Sequence, residues 1–319
     1  MAHHIEQMAY IGQTPWHGLG NPLSANQPLE VWQQQAGMDW EIKASPVQFT
    51  DEDNDTPGLL LPFPQNKVLY RSDTLAPLSV VSQRYQVVQP REILEFYRDL
   101  TEVSGFQLET AGVLKGGKKV WALARTGLST TLQANDTTNA YVLLATACDG
   151  SLATTAQFTA VRVVCNNTLA VALDDNKGAV KVPHSTTFNA EAVKRQLGIS
   201  VSSWDTFMYR MKQLSQRRVK QAEAEAFFRT LLTNTQSGSL AKTNEQAMTK
   251  TLRLYNGHGR GAELGSAHGT ALGLLNAVTE FVDHERRAQN TDYRLDSAWF
   301  GQGAALKQKA LDDTLLMLA

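Results

Sequence analysis

Residues 137–164, TTNAYVLLATACDGSLATTAQFTAVRVV, hold two apolar, β-branched runs on either side of Asp149-Gly150. Asp-Gly is a strong hairpin signal, because both residues accept the positive φ that a two-residue turn requires. The stretch therefore predicts two antiparallel strands. The runs just upstream repeat the pattern, with FQLETAGVLK and KKVWALART flanking Gly116-Gly117. Four strands joined in this way make a meander.

Working outward, KVLYRSD and PLSVVSQRYQVV read as two short strands, and QPREILEFYRDLTEVSG reads as a helix between them and the meander. Pro90 suits the first helical position and Gly105 the C′ position. Ile93, Leu94, Phe96, Tyr97, Leu100 and Val103 form its apolar stripe. Beyond the meander, Asn166 or Asn167 is predicted to cap a helix through TLAVALDD, closing near Gly178. The order ββ-α-ββββ-α predicts an α+β fold: an antiparallel β-meander packed on helices, followed by a helical C-terminal region.

Three segments follow from this reading: an irregular N-terminal arm (1–66), an α+β core (67–182) and a helical C-terminal region (183–319). The arm is dense in Gly, Pro and Asn, carries the acidic loop DEDNDTPG, and offers one short helix, LEVWQQQAG. In the helical region, FNAEAVKRQLG and WDTFMYRMKQLSQRRVKQAEAEAFFRTLLT carry helical stripes, the second with Asp205 as its N-cap candidate. YNGHGRGAELGSAHG is predicted to be a mobile linker into TALGLLNAVTEFVDHERR and a last helix, GAALKQKALDDTLLML.

Hydrophobic content of 42% against 19% charged fits a folded chain and not a disordered one. No run approaches the roughly 18 apolar residues that span a bilayer, so no membrane partner is expected. The N-terminus MAHHIEQMAYIG lacks the basic-then-apolar order of a secretory signal. The two cysteines, Cys148 and Cys165, lack CxxC spacing, which argues against a disulfide framework or a cysteine zinc site. A reducing, cytoplasmic setting is expected. Residues 1–110 carry 6 Lys and Arg against 14 Asp and Glu, and residues 111–319 carry 24 against 17. This segregation points either to an anionic partner for the second part or to mutual neutralisation across an intramolecular or subunit contact.

Arg162 poses the sharpest question. In a strand, Phe158, Ala160, Arg162 and Val164 share one face, and Thr159, Val161, Val163 and Cys165 share the other. Cys165 then reads as a small buried hydrophobe. A guanidinium cannot be buried without a partner. Arg162 therefore either meets a carboxylate from the first half of the chain or faces an open groove and binds phosphate. In KKVWALAR, Lys119, Trp121, Leu123 and Arg125 share a face, with Lys118 beside them. Interleaved aromatic and basic residues suit a single-stranded nucleic acid, whose bases stack on rings while phosphates meet the charges. Lys194, Arg195, Arg217 and Arg218 extend the basic set, since residues 191–229 hold eight basic residues against four acids.

Other constellations carry less chemistry. Glu280 and His284 lie four apart with Asp283 beside them, but there is no HExxH, and helical pairing with Glu as acceptor is the better reading. NGHGRGAELG lacks GxxxxGK[ST] and no apolar strand precedes it. No catalytic centre emerges, and no metal or cofactor is expected.

VRVVCNNTL, GLLNAVTEFVDHERR and FGQGAALKQKAL, together with HGLG and RYQVVQP, resemble a family of phage/plasmid-like proteins built around a domain of unknown function numbered 932. The resemblance covers nearly the whole chain. It implies a mobile-element context of DNA replication, recombination or host counter-defence. The ββ-α-ββββ-α order also looks like the core of single-strand annealing proteins, which carry a β-meander on a helix and assemble as rings. The leading expectation is a homo-oligomer that binds single-stranded DNA or RNA, used in annealing or protecting it. The alternatives are an enzyme acting on a nucleotide or nucleic acid, and an interaction module that inhibits a host defence factor. Converging carboxylates or histidines favour the enzyme, a continuous basic groove favours binding, and an exposed apolar patch without a basic rim favours the module.

Overall fold

The computed structural model of the chain describes residues 7–12, 20–51, 58–104, 106–133, 135–162, 167–171, 179–193, 195, 204–234 and 242–318. Its strands are β1 (Gln7–Ile11), β2 (Asn21–Leu23), β3 (Ile42–Asp51), β4 (Leu59–Arg71), β5 (Pro77–Ser82), β6 (Gln107–Leu114), β7 (Lys119–Thr131), β8 (Thr137–Ala147), β9 (Thr154–Arg162), β10 (Asn167–Ala170), β11 (Ala179–Val182) and the short pair β12 (Thr233–Asn234) and β13 (Lys242–Thr243). The helices are α1 (Leu29–Gln35), α2 (Pro90–Ser104), α3 (Trp204–Gln216), α4 (Gln221–Leu231), α5 (Glu245–Arg253), α6 (Ala271–Glu280), α7 (Thr291–Phe300) and α8 (Gln302–Leu316). The fold is α+β, with a main sheet ordered β10-β9-β8-β7-β6-β1-β2, β11 pairing β9, and a separate sheet β3-β4-β5.

The chain forms two compact units. The first comprises Met1–Thr126, Val142–Ala156 and Ala179–Gln196, and the second Gly127–Tyr141, Gln157–Gly178 and Leu197–Ala319. The three long strands β7, β8 and β9 each contribute one part to each unit. The partition redistributes charge. The first unit holds 13 Lys and Arg against 16 Asp and Glu, the second 17 against 15. Net charges of −3 and +2 replace the −8 and +7 read along the chain.

In the first unit, Met8, Gly112 and Trp121 lie side by side across β1, β6 and β7. A side chain at Gly112 would place its Cβ 2.8 Å from that of Met8, so only glycine lets the three strands close beside the indole. α2 covers this region, as its Pro90 and apolar stripe predict. The buried Tyr97 hydroxyl lies 2.8 Å from the Ala122 carbonyl and 2.9 Å from that of Val142, fixing the helix to β7 and β8. His184 stacks on Tyr85 at 4.4 Å and sits 3.0 Å from the carbonyls of Gln86 and Leu152.

In the second unit, Trp204 opens α3 against Phe158 and Phe207, and its indole N–H donates to Thr130 Oγ1 at 3.2 Å. α6 is almost wholly buried and packs against α3, α8 and β10. Single π-turns follow α5 at Leu254–His258 and α6 at Phe281–Glu285.

Several expectations need correction. Residues 1–66 are not uniformly irregular, since β1, β2, α1, β3 and the start of β4 lie there. The turn between β6 and β7 is the 3₁₀ turn Lys115–Gly117, not a two-residue hairpin loop. The TLAVALDD helix is replaced at its start by β10, which pairs antiparallel to β9 with Asn167 opposite Arg162. Thr168 explains the preference, because its backbone N–H and hydroxyl both donate to Asp283 Oδ2, at 2.8 and 3.2 Å. The long helix expected over 205–233 is two helices, broken where Val219 N–H donates to Gly269 O and Ala271 N–H to Arg217 O. Asp205 lies within the first turn of α3 and not ahead of it. Cys165, Gly105 and the acidic loop between β3 and β4 fall outside the described residues apart from Asp51 and Gly58.

Candidate nucleic-acid interface

Arg162 is at the centre of a buried polar cluster in the second unit. Its Nε donates to Asp136 Oδ1 at 2.6 Å and its Nη2 to Asp136 Oδ2 at 3.0 Å. Arg162 is 7% exposed and Asp136 fully buried. The guanidinium also donates to the carbonyls of Arg260 and Gly261, at 3.4 and 3.2 Å. Ser266 Oγ completes the cluster by donating to Asp136 Oδ2. A bidentate pair with further backbone acceptors satisfies the desolvated guanidinium. Arg162 is therefore not a phosphate ligand in an open groove. Its partner is a carboxylate, as one of the two readings required, and it comes from the turn before β8.

The acceptors explain the glycine-rich segment. Residues 255–269, expected to be a mobile linker, begin in the π-turn Leu254–His258 and continue as an ordered loop whose carbonyls ligate Arg162 and whose Arg260 N–H donates to both oxygens of Glu280, at 3.1 and 3.0 Å. Glycine is required at 259, where a Cβ would fall 2.8 Å from both Glu280 Oε2 and Leu254 O. Burial raises the pKa of Glu280 above its ordinary value, against the opposing effects of the Arg260 N–H and the charges of Arg260 and Arg162. Asp283, one turn on, accepts from Lys307 Nζ at 2.8 Å, and the pair is almost wholly buried. Burial lowers the pKa of Lys307, an effect that the Asp283 carboxylate opposes. Glu280 and Asp283 thus serve separate structural contacts, rather than pairing along their own helix.

A cavity of about 40 Å³ lies beside this cluster, lined by Arg162, Thr138, Asn276 and Thr279 among apolar side chains including Phe207 and Leu272. Small-molecule sites run to roughly 300–1,000 Å³, so the cavity does not hold a nucleotide. No three His, Cys, Asp or Glu side chains among the described residues converge to hold a metal.

The remaining sequence-derived site residues divide by exposure. Lys119 is 3% and Trp121 2% exposed, because β7 is covered on both faces from Lys119 to Ala124. These two belong to the core and not to a binding surface, which corrects the assumption that one face of this strand is open. Lys118 is half-buried, and Arg125 and Arg195 are exposed on the first unit. Lys194 lies outside the described residues. On the second unit, Arg217 is half-buried and pairs with Glu223 at 2.5 Å, which holds that carboxyl below its usual range. Arg218 is exposed and donates to His268 O at 2.9 Å.

One surface of the second unit combines a ring with cations. Tyr209 is 62% exposed on α3. The helical period places exposed Asp205, Lys212 and Gln216 on the same stripe, and half-buried Arg210 follows Tyr209 in sequence. Phe207, Met208, Met211 and Leu214 occupy the opposite, buried face. Exposed Arg218 and Lys220 follow in the connection to α4. Tyr209 was absent from the site expected from sequence. Its signal was present in the helical stripe, where position 209 falls outside the buried set.

The described residues thus define an α+β protein whose C-terminal helical unit is organised by buried ion pairs. The chain belongs to the family described as Domain of unknown function (DUF932), whose model matches residues 77–299, from β5 through most of α7. Neither a curated protein nor a solved structure matches the chain. No helix among the described residues is long and apolar enough to cross a membrane.

Proposed function

We propose that this protein binds single-stranded nucleic acid as a homo-oligomer, through the face of α3 that carries Tyr209 and Lys212. The observation that carries the reading is an aromatic ring left largely in solvent on the same helical stripe as exposed Lys212, with exposed Asp205 one turn before it, on a helix whose other side is packed. Such a ring provides a stacking platform for a base, and the flanking cations follow the phosphates. The reading moves the interface from β7 and β9 to α3 and the α3–α4 connection. The phage/plasmid-like resemblance supplies a setting in which single strands arise, with annealing or protection as the use and the cytoplasm as the compartment.

The test is fluorescence anisotropy of a labelled oligonucleotide at low salt. Wild-type protein binds it, and Tyr209→Ala weakens binding without lowering the melting temperature. Absence of any affinity at low salt overturns the proposal.

A second reading, the interaction module, is favoured by a different observation: large apolar side chains stand exposed on β3 and β4, on a stretch that has no basic residue between Val47 and Phe63.

A further inference from the structure

The β3–β4 hairpin changes character along its length. β5 pairs only with residues 66–70 of β4. Past the register shift between Pro46 and Val47, residues 47–51 and 59–63 pair with each other alone. A two-stranded ribbon is marginal in water unless one face is covered. Here the cross-strand pairs Val47–Phe63, Phe49–Leu61 and Asp51–Leu59 stand on one face, and Gln48, Thr50, Leu60 and Pro62 stand on the other. Phe49 is 49%, Leu59 49% and Phe63 43% exposed. Apart from Asp51 at its outer end, this is a continuous apolar face of the kind that marks a protein contact.

We propose that this face is the surface through which one copy of the chain associates with a second copy, and it supplies the self-association that the proposed homo-oligomer requires. Two observations select the occupant and the mode. The unit bearing the ribbon is net negative and the other net positive, so a head-to-tail contact between copies joins opposite charges. Pro62 in the ribbon and Pro46 and Pro64 at its base lack backbone donors, which disfavours extension by strand addition and leaves packing of the face as the means of contact.

The experiment is light scattering after size exclusion on the full chain at micromolar concentration, comparing wild type with Phe49→Ser/Leu61→Ser and with Leu60→Ser on the opposite face. Wild type and Leu60→Ser elute at a multiple of 35.1 kDa, and the double variant elutes at the monomer mass with its thermal transition retained. A monomeric wild type overturns the proposal, as does a double variant that keeps the wild-type mass. Co-sedimentation of a monomeric wild type with neutral lipid vesicles overturns it in favour of a membrane occupant. A Leu60→Ser variant that dissociates as fully overturns the assignment of the face. The double variant retains single-site affinity for an oligonucleotide, whereas Tyr209→Ala keeps the oligomer and loses that affinity, so failure of one proposal is distinguishable from failure of the other.

Discussion

Arg162 and Asp136 form a bidentate ion pair, with Nε to Oδ1 at 2.6 Å, closed from above by the Arg260 and Gly261 carbonyls and by the Ser266 hydroxyl. The pair joins three separate stretches: the end of β9, the turn before β8, and the glycine-rich loop between α5 and α6. The charge in the middle of an apolar strand thus serves to order that loop. Glu280 holds the same loop from the other side through the Arg260 N–H.

Removing one member of this pair leaves the other buried and uncompensated. Asp136→Ala should lower unfolding free energy by about 3–5 kcal/mol, read from chemical denaturation. Replacing both, as Arg162→Met with Asp136→Leu, should recover part of the loss, because the uncompensated charge disappears. Recovery stays incomplete, since the two loop carbonyls lose their donors. A loss below about 1 kcal/mol for Asp136→Ala would contradict the structural role assigned to the pair.

Glu280 makes stability depend on pH. Its folded pKa is raised, chiefly by burial, above the ordinary 4.5. The folded state therefore holds the proton more tightly than the unfolded state. The contribution is most favourable below 4.5 and is lost as pH rises through the folded value. Glu280→Gln removes the titration and keeps a carbonyl to accept from the Arg260 N–H. The stability of the variant relative to wild type should increase with pH above 4.5 and then level off. A constant difference across that range rules the burial argument out.

How much of this was legible in the sequence depends on range. Asp149-Gly150 and the α2 stripe are local signals: α2 stands where its stripe places it, and β8 and β9 pair on either side of Asp149-Gly150, but across residues 148–153 and not through a two-residue turn. TLAVAL is a short apolar run that suits strand or helix equally. The outcome was set by Arg162 opposite Asn167 and by the Asp283 carboxylate, a group 115 residues from Thr168. The glycine-rich loop misled for a related reason. Its ligands are backbone carbonyls, which leave no trace in side-chain pattern. The alternation in Val47, Phe49, Leu59, Leu61 and Phe63 was present, but prolines and acids around it outweighed it as a strand signal. Trp121 and Lys119 alternate as if on an open face, but their strand is buried on both faces and has no open side to assign.

Cys148 should be inert in the native protein. Burial, assisted by the neighbouring Asp149 charge, pushes its thiol up to about 12, so little thiolate exists near neutral pH. Its Sγ faces the Lys118 carbonyl at 3.4 Å. In a Cys165→Ala background, a thiol reagent should modify Cys148 only on the timescale of unfolding, and denaturant should accelerate the reaction. Rapid labelling of the folded protein would show that Cys148 is accessible.

The α3 interface predicts a separation between two kinds of loss. Phosphate contacts release counterions, so affinity for a single strand should fall with salt by about 0.7 in log–log slope for each phosphate neutralised. Lys212→Ala should weaken binding almost equally for all sequences and reduce that slope by less than one unit, since Lys212 meets at most one phosphate. Tyr209→Ala should cost roughly 1–3 kcal/mol in binding with little change in slope, as expected when a stacked base is lost. Neither substitution should move the thermal transition, because both side chains are exposed on α3. Trp121→Ala behaves in the opposite way: the indole is buried beside Gly112, and its loss should cost about 3–5 kcal/mol of stability. An anisotropy titration across a salt series, run beside thermal melts of the three variants, reads both effects. If Tyr209→Ala leaves affinity unchanged while Lys212→Ala lowers it, the surface binds polyanions by charge alone and the stacking role of Tyr209 is wrong. If neither changes affinity, the bound strand lies elsewhere, and exposed Arg125 and Arg195 of the first unit become the residues to substitute next.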